Sequence, residues 1–97
     1  MIPQSLGAFK ESLKAQNPPR EWPAALRSLW YIALGDWEAS HAIAQDLETQ
    51  MGSWIHAHLH RREGDRWNAG YWYNRAGKEY PQYSLEEELE ILVGANL

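Results

Sequence analysis

The chain contains no cysteine. Disulfide staples, thiolate metal ligands and cysteine nucleophiles are therefore excluded. No apolar run approaches the roughly 20 residues that a membrane-crossing helix requires, so no membrane partner is expected. The opening segment MIPQSLGAFKESLKAQ has no basic stretch leading into an apolar one. No signal peptide is expected from it, and a cytoplasmic location is. Basic residues are outnumbered, 9 Lys and Arg against 13 Asp and Glu for a net charge of −4. That balance argues against a nucleic-acid partner, because phosphate calls for net positive surface. Phenylalanine occurs once, leaving the aromatic content to six Trp and five Tyr. Such rings join a large apolar area to a polar handle and suit both packing and interfaces.

What is present is globular in balance. With 97 residues, 44% hydrophobic and 23% charged, residues 1–97 read as one domain with one modest core. Apolar spacing reads as helix nearly throughout. Leu6, Phe9 and Leu13 follow a cap at Ser5, and QNPP stops that helix. Trp22, Leu26, Leu29, Trp30, Ala33 and Leu34 form a stronger stripe ending at Gly35, with Pro23 tolerated in the first turn. Asp36 caps a third helix with Trp37, Ser40, Ala44 and Leu47 on one face. QMGS breaks the pattern, and Ser53 is the expected cap of the helix carrying three of the four histidines. Gly64 ends that helix and Asp65 caps the next, where Ala69, Trp72, Tyr73 and Ala76 recur at i, i+3, i+4 and i+7. Gly77 and Pro81 stop the chain again. Ser84 to Glu87 is a capping box opening a last helix with Leu85, Leu89, Leu92 and Val93 on one side. Glu86, Glu87 and Glu88 read as its exposed first turns, favoured there by the helix dipole. No window alternates with a period of two, so the expected class is all-α.

Gly-Asp falls between helices twice, at Gly35 and at Gly64, 29 residues apart. Small residues follow each time, Ser40 and Ala44 in the first case, Ala69 and Ala76 in the second, where two helices must approach closely. Two helical hairpins stacked in parallel satisfy this pattern. Alone they would leave both ends of the stack apolar, so flanking helices at 5–16 and 84–96 are expected to cover one end each.

Gly64, Asp65, Ala69, Tyr73, Ala76 and Pro81 resemble a tetratricopeptide repeat motif at its usual offsets. AGYWYNRAG, with Ala69, Trp72, Tyr73 and Ala76, resembles the AxxWYxxAA core of Sel1-like repeats. In the first hairpin Ser40, Ala44 and Leu47 hold the corresponding places. Against the usual period of about 34 residues, the spacing here implies a shorter first helix in the second hairpin. LGDWEASHAIAQD followed by SWIHAHLHRREGD further resembles a group of small bacterial proteins of unknown function. The repeat resemblance implies two tetratricopeptide-like hairpins serving as a scaffold for a protein or peptide partner.

SWIHAHLHRREGD sets His56, His58 and His60 at alternate positions. On a helix they separate: His58 joins Trp54, Ile55 and Leu59 on the apolar side, while His56 and His60 lie opposite with Glu63. Side chains at i, i+4 and i+7 can converge on one metal ion. Neutral imidazoles suit Zn, Ni or Cu, a carboxylate can complete the set, and His41 on the neighbouring helix is a further candidate ligand. The structural reading stands beside this one and carries more weight, because paired helical histidines are common without a metal and no HExxH supplies a general base. Under it no cofactor is needed, and His58 is a core imidazole bonded to a backbone carbonyl.

Nucleophilic catalysis has little support. Ser40 and His41 are adjacent on a helix and point about 100° apart. No Gly-x-Ser-x-Gly elbow and no glycine-rich phosphate loop occur. The aromatic residues favour binding instead. Trp67 and Tyr71, four apart, form a stripe separate from the alanine face, either packed on the last helix or exposed as an anchor. With Arg66, Asn74, Arg75 and Lys78 nearby, that stripe suits an acidic or aromatic peptide. The leading expectation is a non-catalytic interaction module using these six residues. The alternative is a small metal-binding protein or metal-dependent enzyme using His56, His60 and Glu63 with His41, and self-association through exposed Trp is a third.

Overall fold

The computed structural model describes residues 2–97 and is all-helical, with no strand among them. Six helices follow one another: α1 (Leu6–Ser12), α2 (Ala24–Leu34), α3 (Trp37–Ala44), α4 (Gln50–Arg62), α5 (Arg66–Arg75) and α6 (Leu85–Gly94). Most ends lie where the capping chemistry puts them. Ser5, Asp36, Asp65 and Ser84 each accept a backbone N–H three residues on. Each thereby satisfies one donor that the first turn leaves without a partner. The two Gly-Asp turns are alike. Gly35 and Gly64 take φ of 97° and 82°, a left-handed conformation that costs glycine little. The following Asp36 and Asp65 amides then return to the carbonyls of Tyr31 and His60, closing α2 and α4 in the same way.

The start of α4 differs from the expectation. Gln50, Met51 and Gly52 are helical and Thr49 is the cap, its hydroxyl accepting from the Gly52 amide at 2.9 Å. Ser53 is buried within the helix. Gly52 is a packing residue and not a breaker, because a Cβ there would run into the Leu47 carbonyl oxygen. The 29-residue spacing is also absorbed elsewhere than expected. α4 is the longest helix at 13 residues, and the shortest of the four hairpin helices is α3, at 8.

α2 packs most extensively on α3, and α4 on α5. The hairpins meet where α2 and α3 touch α4, and α6 lies across α2 and α4. Leu26, Leu29, Ile55, Leu59, Leu92 and Val93 are wholly buried in the resulting core. Of the terminal helices, α6 lies on α2 and α4, the lead helices of the two hairpins, and α1 packs on α6. α3 and α5 flank α4 as well, and His56 and His60 lie on that side, whereas His58 faces α6.

Candidate metal centre

α4 carries histidines on two opposite faces, and each face builds a different polar cluster. The first forms against α3. His56 and His60 are one turn apart on α4, and His41 reaches them from α3. One ring nitrogen of each lies within 4.8 Å of one from each of the other two. The Nε2 atoms of His41 and His56 are 2.9 Å apart, with the rings edge to face at 88°. His60 stacks beside His56 at 4.9 Å between centroids.

Neighbouring indoles fix these rings. Trp37, four residues before His41, stacks on it at 4.7 Å, and its Nε1–H donates to the Leu59 carbonyl at 2.7 Å. Trp72 of α5 stacks on His56 at 3.9 Å and 11°. The Arg75 guanidinium sits over the Trp72 ring at 5.2 Å. Glu63 Oε1 lies 2.7 Å from His60 Nδ1, which leaves Nε2 as that ring's free nitrogen. The arrangement matches the carboxylate–histidine pairing that orients imidazole ligands in metal sites.

The electrostatics keep lone pairs available. Burial is the largest influence on His56, which is 7% exposed; with the neighbouring His41 and His60 it holds the imidazole down at about 4. His41 is lowered for the same reasons, burial first and His60 second, with Glu63 opposing. At neutral pH both rings are uncharged, the form a metal binds.

The second cluster lies on the opposite face of α4 and centres on Glu88 of α6. Glu88 is 0% exposed, which corrects the reading of Glu86 to Glu88 as an exposed first turn. One carboxylate gathers donors from two helices. Trp54 Nε1–H donates at 3.1 Å, Arg61 Nη1–H at 3.0 Å, and His58 Nδ1 lies 2.7 Å away. The Tyr73 hydroxyl spans both oxygens at 2.6 and 2.7 Å. Arg62 Nε–H donates to His58 Nε2 at 2.8 Å. Arginine has only donors, so that nitrogen accepts and the His58 Nδ1–H points at Glu88. Burial pushes the Glu88 carboxyl up, but hydrogen bonds from His58 and Tyr73 outweigh it and hold the group below its usual value. Tyr73 is pushed far up, by burial first and by Glu88 second. Every buried side-chain polar atom among the described residues has a partner. This network pins three helices, α4, α5 and α6, together.

The aromatic stripe is exposed. Trp67 is 79% and Tyr71 48% exposed, the two rings 6.5 Å apart at 13°. Arg66, Asn74, Gly70 and Tyr80 complete this shallow face. Arg75 borders it through a 3.3 Å bond from Nη1 to the Tyr71 hydroxyl. Lys78 stands apart, its ammonium 4.3 Å from the Trp54 ring centroid. The sequence reading already named His41, His56, His60 and Glu63. It missed Trp37 and Trp72 as walls, although Trp37 stands at i−4 from His41. It also missed Glu88, whose position three after Leu85 and four before Leu92 puts it on the apolar face.

Comparison of the chain with models of protein families, with curated proteins and with solved structures finds no match.

Proposed function

We propose that the protein is a small helical metal-binding domain whose centre is His41, His56 and His60, taking a divalent ion of the zinc, nickel or copper kind. The observation that carries this is the convergence of three imidazoles from two helices, with Glu63 on the far nitrogen of His60. Distances support it. Two imidazole nitrogens on a tetrahedral zinc at 2.0–2.1 Å stand about 3.3 Å apart. The His41–His56 pair, at 2.9 Å, needs to open by only a few tenths of an ångström. The test is calorimetric titration of the metal-free protein with zinc, nickel and copper, beside the His56→Ala/His60→Ala double variant. One-to-one binding that disappears in the variant is expected. No binding, or binding unchanged in the variant, overturns the proposal.

A second reading rests on the 79% exposure of Trp67, since a large ring held in solvent costs about 25 cal/mol for each Å² of apolar surface left wet. Here the domain is a tetratricopeptide-like interaction module that docks an acidic peptide on Trp67, Tyr71, Arg66, Asn74 and Arg75, with Lys78 outside the contact. Charge supports the choice, because Arg66 and Arg75 are the charged residues at this face. Fluorescence titration with an acidic, aromatic-containing peptide and its lysine-substituted counterpart tests it. Binding of the acidic peptide alone, lost on Trp67→Ala, is expected. Equal response to both peptides, or to neither, removes the reading. Dimerisation that is lost on the same substitution would assign the face to a second copy instead.

A further inference from the structure

Building on the metal-centre proposal, we infer that the ion held by His41, His56 and His60 keeps an open coordination position, taken by water and exchangeable for a small monodentate anion. The protein's own donors run out at three. Among the described residues two sets of at least three potential ligands occur, the histidine triad and His60 with Glu63 and Asp65. Both carboxylates already have partners. Glu63 Oε1 is held on His60 Nδ1, and both oxygens of Asp65 are engaged by Asn68, one by its backbone amide and the other by its side-chain amide. The chain has no cysteine. Sites that serve only to hold a fold close their shell with four protein ligands, whereas three-ligand sites leave a position to solvent.

Charge and access select the ligand. Imidazole ligands carry no negative charge, and the carboxylate at the cluster, Glu63, lies beyond the His60 ring. The ion therefore keeps net positive charge, and an anion is favoured in the vacant position. His41 and His60 are partly exposed while His56 is nearly covered. Solvent therefore reaches the cluster over the former pair. Trp37 and Trp72 flank the triad with flat apolar faces, which favours a compact ligand of few atoms. The ligand class is a small inorganic anion, with no bond made or broken beyond the exchange of one metal-bound water.

Cobalt(II) replaces zinc with a visible ligand-field spectrum, so the test is an azide titration of the cobalt-loaded full chain. The expected result is a spectral change that saturates at one azide per cobalt. A Glu63→Gln variant, which removes the carboxylate that orients His60, is expected to bind cobalt more weakly but, once loaded, to reach the same endpoint of one azide per cobalt. A cobalt spectrum indifferent to azide in the native protein overturns the open position while leaving the metal centre standing. If sensitivity appears only in Glu63→Gln, the carboxylate is itself the fourth ligand, which also overturns it. Absence of any ligand-field band means that the triad does not hold the ion, and both proposals fail.

Discussion

The Nε2 atoms of His41 and His56 face each other at 2.9 Å, so one ring must accept the proton that the other donates. Charging both would break that bond and set two cations against each other. The unfolded chain carries the ordinary imidazole value of 6.5, whereas folded His56 is held at about 4. Between these values the unfolded state binds the extra proton, and stability rises with pH. The neutral pair's contribution is fully present above about pH 6.5 and is lost as pH falls toward 4. His41 acts in the same direction. Metal-free protein is expected to lose about 2 kcal/mol from His56 alone between pH 7 and pH 5. Urea denaturation at the two pH values measures this, and His56→Gln should flatten the difference. Equal stability at both would mean that the His56 ring is not buried as described.

Glu88 offers a sharper contrast. Glu88→Ala strands Trp54, His58, Arg61 and Tyr73 without their acceptor, and removing one partner of a buried ionic network costs about 3–5 kcal/mol. Tyr73→Phe removes one donor and strands nothing, so about 0.5–1.5 kcal/mol is expected. Denaturant midpoints of the two variants should differ clearly in that order. Similar losses would show that the network is not centred on the carboxylate.

Trp67→Ala should change the unfolding free energy by no more than about 0.5 kcal/mol, because a side chain this exposed supports little packing. Trp30→Ala, at a wholly buried ring whose Nε1–H reaches Ser12 Oγ, should cost about 3–5 kcal/mol. A large loss at Trp67 would place that ring in the core or in a dimer, and mass measured against concentration separates the two.

Two helical glycines should respond with opposite signs. A Cβ at Gly70 meets nothing within 4 Å, so Gly70→Ala should stabilise by about 0.5–1 kcal/mol through helix propensity. A Cβ at Gly52 would lie 2.6 Å from the Leu47 Cβ and closer still to its carbonyl oxygen. Gly52→Ala should therefore destabilise by about 1–3 kcal/mol despite the same propensity gain. Thermal midpoints compare them directly, and a stabilising Gly52→Ala would mean that the turn before α4 is loosely packed.

Much of the fold was legible because its signals are local. Ser5, Asp36, Asp65 and Ser84 cap their own helices through bonds spanning three residues, and Gly35 and Gly64 end theirs by a backbone angle. Gly52 misled for the same reason. Its local signal is that of a breaker, while its role is set by Leu47, a residue outside α4.

Sequence alone determined the all-helical class, most helix ends, and the placing of His56 and His60 on one face of α4 with His58 on the other. These follow from backbone hydrogen bonding and a period of 3.6 residues, which need no distant partner. Only tertiary structure decided that His41 meets the pair, that Trp37 and Trp72 wall it, that Glu88 is buried and that Trp67 is not. Each of those depends on how one helix rotates and slides against another. That choice minimises exposed apolar area and unpaired polar groups over the whole core at once, and no single stretch of chain encodes it.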